Sequence, residues 1–414
     1  MAPSEESKAR RRLGALGCRA FRWYFIGQTA SRFGSSLSSF ALAFAVLAVT
    51  HSASLLAAVI LASRLPVIAF VLVGGVIGDR FARWRVMAIA DTARTLLQGV
   101  TASLLVSGHA TIWSLALLQA GSGTASAVFS PAASGLVANI VPPGQLRQAT
   151  SLLSLSASVG QLSAIAVAGI LVATIGSGAA FAVDAATFAV STATLRALRA
   201  ATRSQAPPTQ PGLLTAAAEG WQAVRSRRWL LAYSAHAALL NTLAVSPFLV
   251  LGPLLAQDRL GGAPAWAAIV ASYSGGGLAG NAIALRFQPR RPLLTAVLAS
   301  TLLTPLLALL AITAPVWILA PAALLAGAQA SSYNAWASST TQAHLPDHIR
   351  SRAASIVTLG SLAAVPLGMS FAGAAAANLG TSTVFAIGAV WSIAGALAAS
   401  TIASLRRLPP LPVE

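Results

Sequence analysis

The chain has 414 residues, of which 56% are hydrophobic and 9% are charged, whereas charged residues make up about a quarter of a soluble domain. So few charges cannot cover a water-soluble fold of this size, which excludes the soluble classes and leaves a protein solvated by lipid. The net charge of +18 would suit a nucleic-acid binder, but the basic residues stand in short clusters between long apolar runs. We expect an all-α membrane protein that binds no nucleic acid.

Apolar runs long enough to cross a bilayer recur along the chain, since a membrane helix needs about 20 apolar residues. The first 20 residues are polar and basic and lack the apolar centre of a signal peptide, so the first apolar run is a span. The first half is predicted to contain spans at residues 23–49, 54–78, 86–107, 111–138, 148–175 and 179–198. The second half is predicted to contain spans at residues 229–256, 265–285, 293–313, 316–343, 353–377 and 381–404.

The basic residues are distributed unevenly between alternate loops. With a cytoplasmic N-terminus, 23 of the 27 Lys and Arg residues fall on the cytoplasmic side, three lie within spans, and Arg259 alone falls outside. The positive-inside rule then places both termini in the cytoplasm, with six spans per half. The predicted divisions are a cytoplasmic N-terminal segment (1–22), two six-helix bundles (23–199 and 229–405), a cytoplasmic linker between them (200–228) and a cytoplasmic tail (406–414). Arginine and alanine dominate and Lys8 is the only lysine, which indicates a GC-rich bacterial genome and a bacterial inner (plasma) membrane.

The two halves resemble each other at an offset of 204 residues. That offset aligns residues 140–152 (IVPPGQLRQATSL) with residues 344–356 (HLPDHIRSRAASI), each a short basic loop that opens a span. Six-plus-six repeats are an established transporter plan, with the substrate site between the halves near the bilayer midplane. Two unrelated bundles that match by chance fit the matched loop spacing less well.

The loop after the second span contains a motif of glycines, one acid and basic residues, namely Gly75, Gly78, Asp79, Arg80 and Arg83. This loop resembles the Gly-x-x-x-Asp-Arg-x-x-Arg loop of the major facilitator superfamily, which lies between helices 2 and 3 on the cytoplasmic side. The resemblance implies the major facilitator fold, twelve transmembrane helices in two six-helix pseudo-repeats, and a conformational latch formed by these five residues. Glycines let helices approach closely, and an acid among arginines forms an ion pair that can break at the membrane surface.

Further segments resemble the drug-efflux branch of that superfamily, which includes macrolide-efflux and enterobactin-exporter-like proteins. They are the pair Asp91 and Arg94 and residues 27–36 (GQTASRFGSS), 129–152 (FSPAASGLVANIVPPGQLRQATSL), 181–188 (FAVDAATF) and 219–230 (EGWQAVRSRRWL). The resemblance implies a drug or natural-product exporter driven by proton antiport, and we expect a monomer. Two departures bear on coupling: Ser35 stands where many members of the branch carry an acid, and helix 4 lacks the basic residue that many antiporters place there.

Ionisable residues at membrane depth are costly, so each needs a partner, a wet cavity or a function. Asp91 and Asp184 are the two carboxylates predicted inside the hydrocarbon core, and Asp91 shares a helix face with Arg94. That pair is either an ion pair that locks helix packing or a gate element. If transport is proton-coupled, one carboxylate must carry the proton, and Asp91 ranks first because Asp184 lies near the outer end of its span. Arg64, in the outer half of helix 2, is expected to pair with Asp184.

Candidate cavity residues lie on three helices. Gln28, Arg32 and Ser35 form a polar stripe on helix 1 that suits an anionic or polar substrate group, although Arg32 serves equally well as a partner for Asp91 or for a helix C-terminus. Helices 7 and 10 line the cavity in the superfamily, so the resemblance adds four candidates, Asn241, Tyr333, Asn334 and Trp336. Ordinary helix packing is the alternative for each of these four.

The sequence shows no catalytic or metal-binding constellation. Cys18 is the single cysteine, nucleotide-binding loops are absent, and Pro346 interrupts the His-x-x-x-His spacing of His344 and His348. We therefore expect no enzyme activity, no cofactor and no resident metal. Few charges at membrane depth favour export of a small amphipathic compound. Import of a nutrient or siderophore on the same scaffold is the main alternative, and the lack of a sizeable extramembrane domain disfavours a receptor or scaffold.

Overall fold

A computed structural model describes residues 14–198, 218, 221–406 and 408, and every regular element within these ranges is helical. Twelve long helices run through the described residues, one over each predicted span. The first half contains α1 (Arg19–Thr50), α2 (Ala53–Arg80), α3 (Arg83–Val106), α4 (Ile112–Ile140), α5 (Leu146–Thr174) and α6 (Ser177–Ala197). The second half contains α7 (Arg228–Leu260), α8 (Ala263–Arg286), α9 (Pro292–Ala311), α10 (Val316–His344), α11 (Asp347–Leu379) and α12 (Thr381–Thr401).

Most of these helices are suited to a bilayer. Ten of the described helices are long and apolar enough to cross a membrane. Helix α3 is less apolar because Arg85, Asp91 and Arg94 lie in it, and the apolar part of α11 is limited to Ala363–Leu379. The chain is therefore a multi-pass membrane protein.

The offset of 204 residues reappears in the helix bounds. Helices α4 and α10 both have 29 residues and begin at residues 112 and 316, and α6 and α12 both have 21 residues and begin at residues 177 and 381. A glycine with positive φ precedes each member of the second pair, Gly176 at 103° and Gly380 at 84°. Because only glycine adopts this backbone conformation readily, both halves encode the same turn.

The helices divide into two compact units. The first contains α1, α3 to α6 and α2 from Ala58 onward, and the second contains α7 to α12 together with residues 52–57. Most of the predicted linker (200–228) lies outside the described residues, so the predicted domain boundaries stay a prediction. The first unit buries an apolar cluster around Phe21, Met87 and Leu136, and the second buries one around Leu230 and Val297.

Small residues allow the closest helix contacts in the second unit. Gly276 and Gly280 of α8 lie against the backbone carbonyls of Leu324 and Ala328 in α10, so a Cβ atom at either glycine would collide with that backbone. Membrane helices pack in this way because lipid provides no hydrophobic drive between them, and close backbone approach provides van der Waals contact instead.

Candidate functional site

Helix α1 packs closely against α6 through two glycines. A Cβ atom added to Gly27 would collide with the Thr194 side chain, and one added to Gly34 would lie 2.7 Å from Asp184 Oδ1. Since neither position has room for a side chain, the two helices come close enough for Ser38, one turn beyond Gly34, to reach the Asp184 carboxyl.

Asp184 is fully buried, with 0% of its surface exposed. Its Oδ2 accepts a 2.6 Å hydrogen bond from the Ser38 hydroxyl of α1 and a 3.0 Å hydrogen bond from the Gln98 amide of α3. The Gln98 side-chain carbonyl accepts a 3.2 Å hydrogen bond from Gln119 of α4. Asp184 Oδ1 has no hydrogen-bond partner among the described residues. Side chains from four helices are thus connected around one carboxyl group, and its direct donors are neutral.

Asp91 and Arg94 of α3 form a buried ion pair, with 3.2 Å between Arg94 Nη1 and Asp91 Oδ1. The Ser191 hydroxyl of α6 donates a 2.6 Å hydrogen bond to Asp91 Oδ2. The Arg94 guanidinium lies 4.8 Å from the ring centre of Phe129 and 5.1 Å from that of Phe188. Both rings attract the cation through their π faces, so residues of α3, α4 and α6 hold the pair in place.

Within the described residues, Asp91, Arg94 and Asp184 are the charged side chains that are buried. Arg94 interacts electrostatically with both carboxyls, so the cluster carries a net charge of about −1 when both are ionised. An uncompensated buried charge costs several kcal/mol, and a buried carboxyl avoids that cost by taking up a proton. Protonation of one of the two carboxyls would make the cluster neutral.

The polar stripe of α1 lies beside this cluster without joining it. Gln28 is 3% exposed, and its side-chain nitrogen has no hydrogen-bond partner in the described part of the chain. Arg32 is exposed and donates a 3.1 Å hydrogen bond to the backbone carbonyl of Leu153 within α5. Arg32 therefore pairs neither with Asp91 nor with a helix C-terminus, which corrects both of those alternatives. Gln28, Arg32 and the half-buried Ser35 remain predicted cavity residues.

The expected pair between Arg64 and Asp184 is wrong. Arg64 is exposed on α2, whereas the Asp184 carboxyl accepts its hydrogen bonds from α1 and α3. These two helices pack against α6 around the carboxyl, so the outer half of α2 does not reach it.

The predicted latch lies where α2 ends and α3 begins. The side chains of residues 71–80 are outside those that the structure describes, and they include four of the five latch residues, Gly75, Gly78, Asp79 and Arg80. The fifth, Arg83, packs its guanidinium against Gly135 of α4, where a Cβ atom would collide with it. Gly135 thus leaves room for a cation at this end of the first unit, and the latch itself stays a prediction.

Two of the aromatic candidates in the second unit are buried among other side chains. The Tyr333 ring stacks on Tyr233 with 5.8 Å between ring centres. The Trp336 indole N–H donates a 3.2 Å hydrogen bond to the backbone carbonyl of Phe287. These contacts favour helix packing as the role of Tyr333 and Trp336.

The two asparagine candidates have different surroundings. Asn334 is exposed, and its amide donates a 2.9 Å hydrogen bond to the backbone of its own helix at Ala330. Asn241 begins the π-helical turn Asn241–Val245 of α7, a local geometry that is frequent at functional sites. Asn241 and Asn334 remain predicted cavity residues. In the described part of the chain, no group of three His, Cys, Asp or Glu residues could hold a metal ion.

The sequence reasoning missed the neutral members of the buried cluster, which are Ser38, Gln98, Gln119 and Ser191. One signal was available, because Gln98 follows Arg94 by one helical turn and Asp91 by two, which places all three on one face of α3. No comparable signal marks the two serines, since their partners lie on other helices.

Solved structures with the same fold include several transporters. One is the nucleoside transporter NupG, with a TM-score of 0.73, 13% identity and coverage of 94% of this chain and 99% of that chain. A second is a bacterial homologue of the iron transporter ferroportin in its inward-facing state, with a TM-score of 0.74, 16% identity and coverage of 94% and 98%. A third is a POT family transporter in complex with 5-aminolevulinic acid, with a TM-score of 0.73, 12% identity and coverage of 92% and 95%. At these identities the similarity establishes the fold, which is that of the major facilitator superfamily.

Sequence comparison adds the family. A search of curated proteins finds no match. A family model described as "Transmembrane secretion effector" matches residues 12–411, which is nearly the whole chain. The chain therefore belongs to the transmembrane secretion effector family of major facilitator transporters.

Proposed function

We propose that this transporter exports a small amphipathic drug or natural product by alternating access, driven by proton antiport, across a bacterial inner membrane. It acts as a monomer, without a cofactor and without enzyme activity. The observation that carries the proposal is the buried cluster of two carboxyls and one arginine in the first unit. Such a cluster changes its net charge when one proton binds or leaves, which is the elementary requirement for proton coupling.

The chemistry of the predicted cavity residues supports an amphipathic substrate. The five candidates that remain, Gln28, Arg32, Ser35, Asn241 and Asn334, provide amides, one hydroxyl and a single cation. A sugar or phosphate carrier needs more hydrogen-bonding or basic groups than this set provides. The family description, a secretion effector, favours export over the alternative, which is import of a nutrient or siderophore on the same scaffold.

Accumulation of amphipathic fluorescent dyes in an efflux-deficient bacterium tests the direction of transport. We expect cells that express the chain to hold less dye than vector controls, and we expect a protonophore to abolish the difference. Higher accumulation in the expressing cells would support import instead. A difference that survives the protonophore would exclude proton antiport.

A further inference from the structure

We infer that Asp184, and not Asp91, carries the exchangeable proton, while Asp91 stays ionised as the fixed partner of Arg94. This assignment deepens the proposed function, on which its role in transport rests. It also reverses the order expected from the sequence, in which Asp91 ranked first because of its depth in the membrane.

The hydrogen bonds of the two carboxyls differ in kind. Both oxygens of Asp91 have a partner, Arg94 at 3.2 Å on Oδ1 and the Ser191 hydroxyl at 2.6 Å on Oδ2. Asp184 receives two neutral donors on the same oxygen and none on the other. A carboxylate is stabilised by a cation and by donors on both oxygens, so Asp91 has the surroundings of a charged group and Asp184 has those of a neutral acid.

The charges around Asp184 lead to the same assignment. Helix α3 contributes Arg94 and Asp91, α4 contains no charged residue, and the guanidinium of Arg32 on α1 is bonded to the backbone of α5. Arg147, at the start of α5, is exposed. Arg94 is thus the one buried cation near Asp184 in the described part of the chain, and it already neutralises Asp91. A second ionised carboxyl would be uncompensated, and a proton removes that cost.

The Ser38 hydroxyl can form a hydrogen bond with both the protonated and the ionised carboxyl of Asp184. Its oxygen lies 2.6 Å from Asp184 Oδ2 and 3.3 Å from the backbone carbonyl of Ser35. When Oδ2 carries the proton, it donates to the Ser38 oxygen, and Ser38 donates to Ser35. When the O–H bond of Asp184 breaks, the proton passes to a water molecule that has reached the carboxyl, and the Ser38 hydroxyl turns and donates to the carboxylate. One proton moves from Asp184 to water, no other bond changes, and Ser38 acts as a positioning residue.

Infrared spectroscopy of purified protein in lipid vesicles tests the assignment without any transport substrate. A protonated carboxyl gives a C=O stretching band that a carboxylate lacks, and the band shifts in D2O. At neutral pH we expect the band in the wild type and in the control Asp258→Asn, which removes an exposed carboxyl. We also expect it in the double variant Asp91→Asn/Arg94→Gln, which removes the ion pair and leaves Asp184 without a cation beside it. We expect Asp184→Asn to lose the band. Absence of the band in the wild type, its persistence in Asp184→Asn, or its loss in the double variant would each overturn the assignment.

A second pair of variants tests the same assignment if the double variant does not fold. Ser38→Ala removes the hydrogen bond to Asp184 Oδ2 but leaves the carboxyl in place, so we expect the band to remain and to shift in frequency. Ser38→Thr restores a hydroxyl, and we expect it to return the band toward its wild-type position. A band that is the same in all three proteins would show that the protonated carboxyl is not Asp184. Since none of these spectra requires transport, failure of the proposed function would leave them unchanged.

Discussion

Replacing Asp91 by Asn is expected to destabilise the first unit strongly. Asp91 is the one carboxylate within ion-pair distance of Arg94 among the described side chains, and Arg94 is 7% exposed between Phe129 and Phe188. Breaking a buried pair by removing one partner leaves the other charge uncompensated, which costs about 3 to 5 kcal/mol. We expect a loss of that size in the free energy of unfolding. Unfolding in mixed detergent micelles measures it.

Two comparisons separate loss of the ion pair from a general effect of the substitution. Asp258→Asn removes an exposed carboxyl, and loss of an ion pair at an exposed site costs at most about 1 kcal/mol. The double variant Asp91→Asn/Arg94→Gln removes both charges, so we expect it to be more stable than Asp91→Asn alone. An Asp91→Asn protein as stable as the wild type, or a double variant no more stable than Asp91→Asn, would contradict this role of the ion pair.

Three further predictions concern other parts of the chain. Gly276→Ala places a Cβ atom against the Leu324 backbone, whereas a Cβ atom at Gly275 would have no atom within 4 Å. In an unfolding titration we expect Gly276→Ala to lower the free energy of unfolding by about 1 to 3 kcal/mol and Gly275→Ala to leave it unchanged. Asp79→Asn in the predicted latch should lower the rate of dye efflux while leaving dye affinity unchanged; an unchanged efflux rate would count against the latch. Reporter fusions after Arg407 should be active only with a cytoplasmic reporter, and activity of a periplasmic reporter would contradict the predicted orientation.

The sequence predicted the helical plan well because hydrophobic length and internal repetition both encode it. Each predicted span contains one long helix, and the offset found in two basic loops also relates the bounds of α4 to α10 and of α6 to α12. The helix ends in the structure differ by a few residues from the predicted span ends. An apolar run marks the part of a helix inside the bilayer and does not show how far the helix continues beyond it. For example, α1 begins at Arg19, within the polar segment before the first predicted span.

The site was harder to predict because its geometry depends on which helices meet. Helical spacing correctly paired Asp91 with Arg94. The same reasoning failed for Arg64, since two residues at similar predicted depth need not lie on neighbouring helices. The contact of Ser38 with Asp184 depends on the missing side chain at Gly34, which lets α1 approach α6. No rule of sequence spacing reports such an approach between helices far apart in the chain.

Transport in proteoliposomes tests proton-coupled export most directly. The purified chain is reconstituted in vesicles with an acidic lumen that contain a pH-sensitive dye, and an amphipathic dye that the cell assay has identified is added outside. We expect the added dye to accumulate inside while the lumen becomes more alkaline, and we expect both changes to stop when an ionophore collapses the pH gradient. Dye accumulation that is the same with and without the pH gradient, or dye movement in the same direction as protons, would contradict proton antiport.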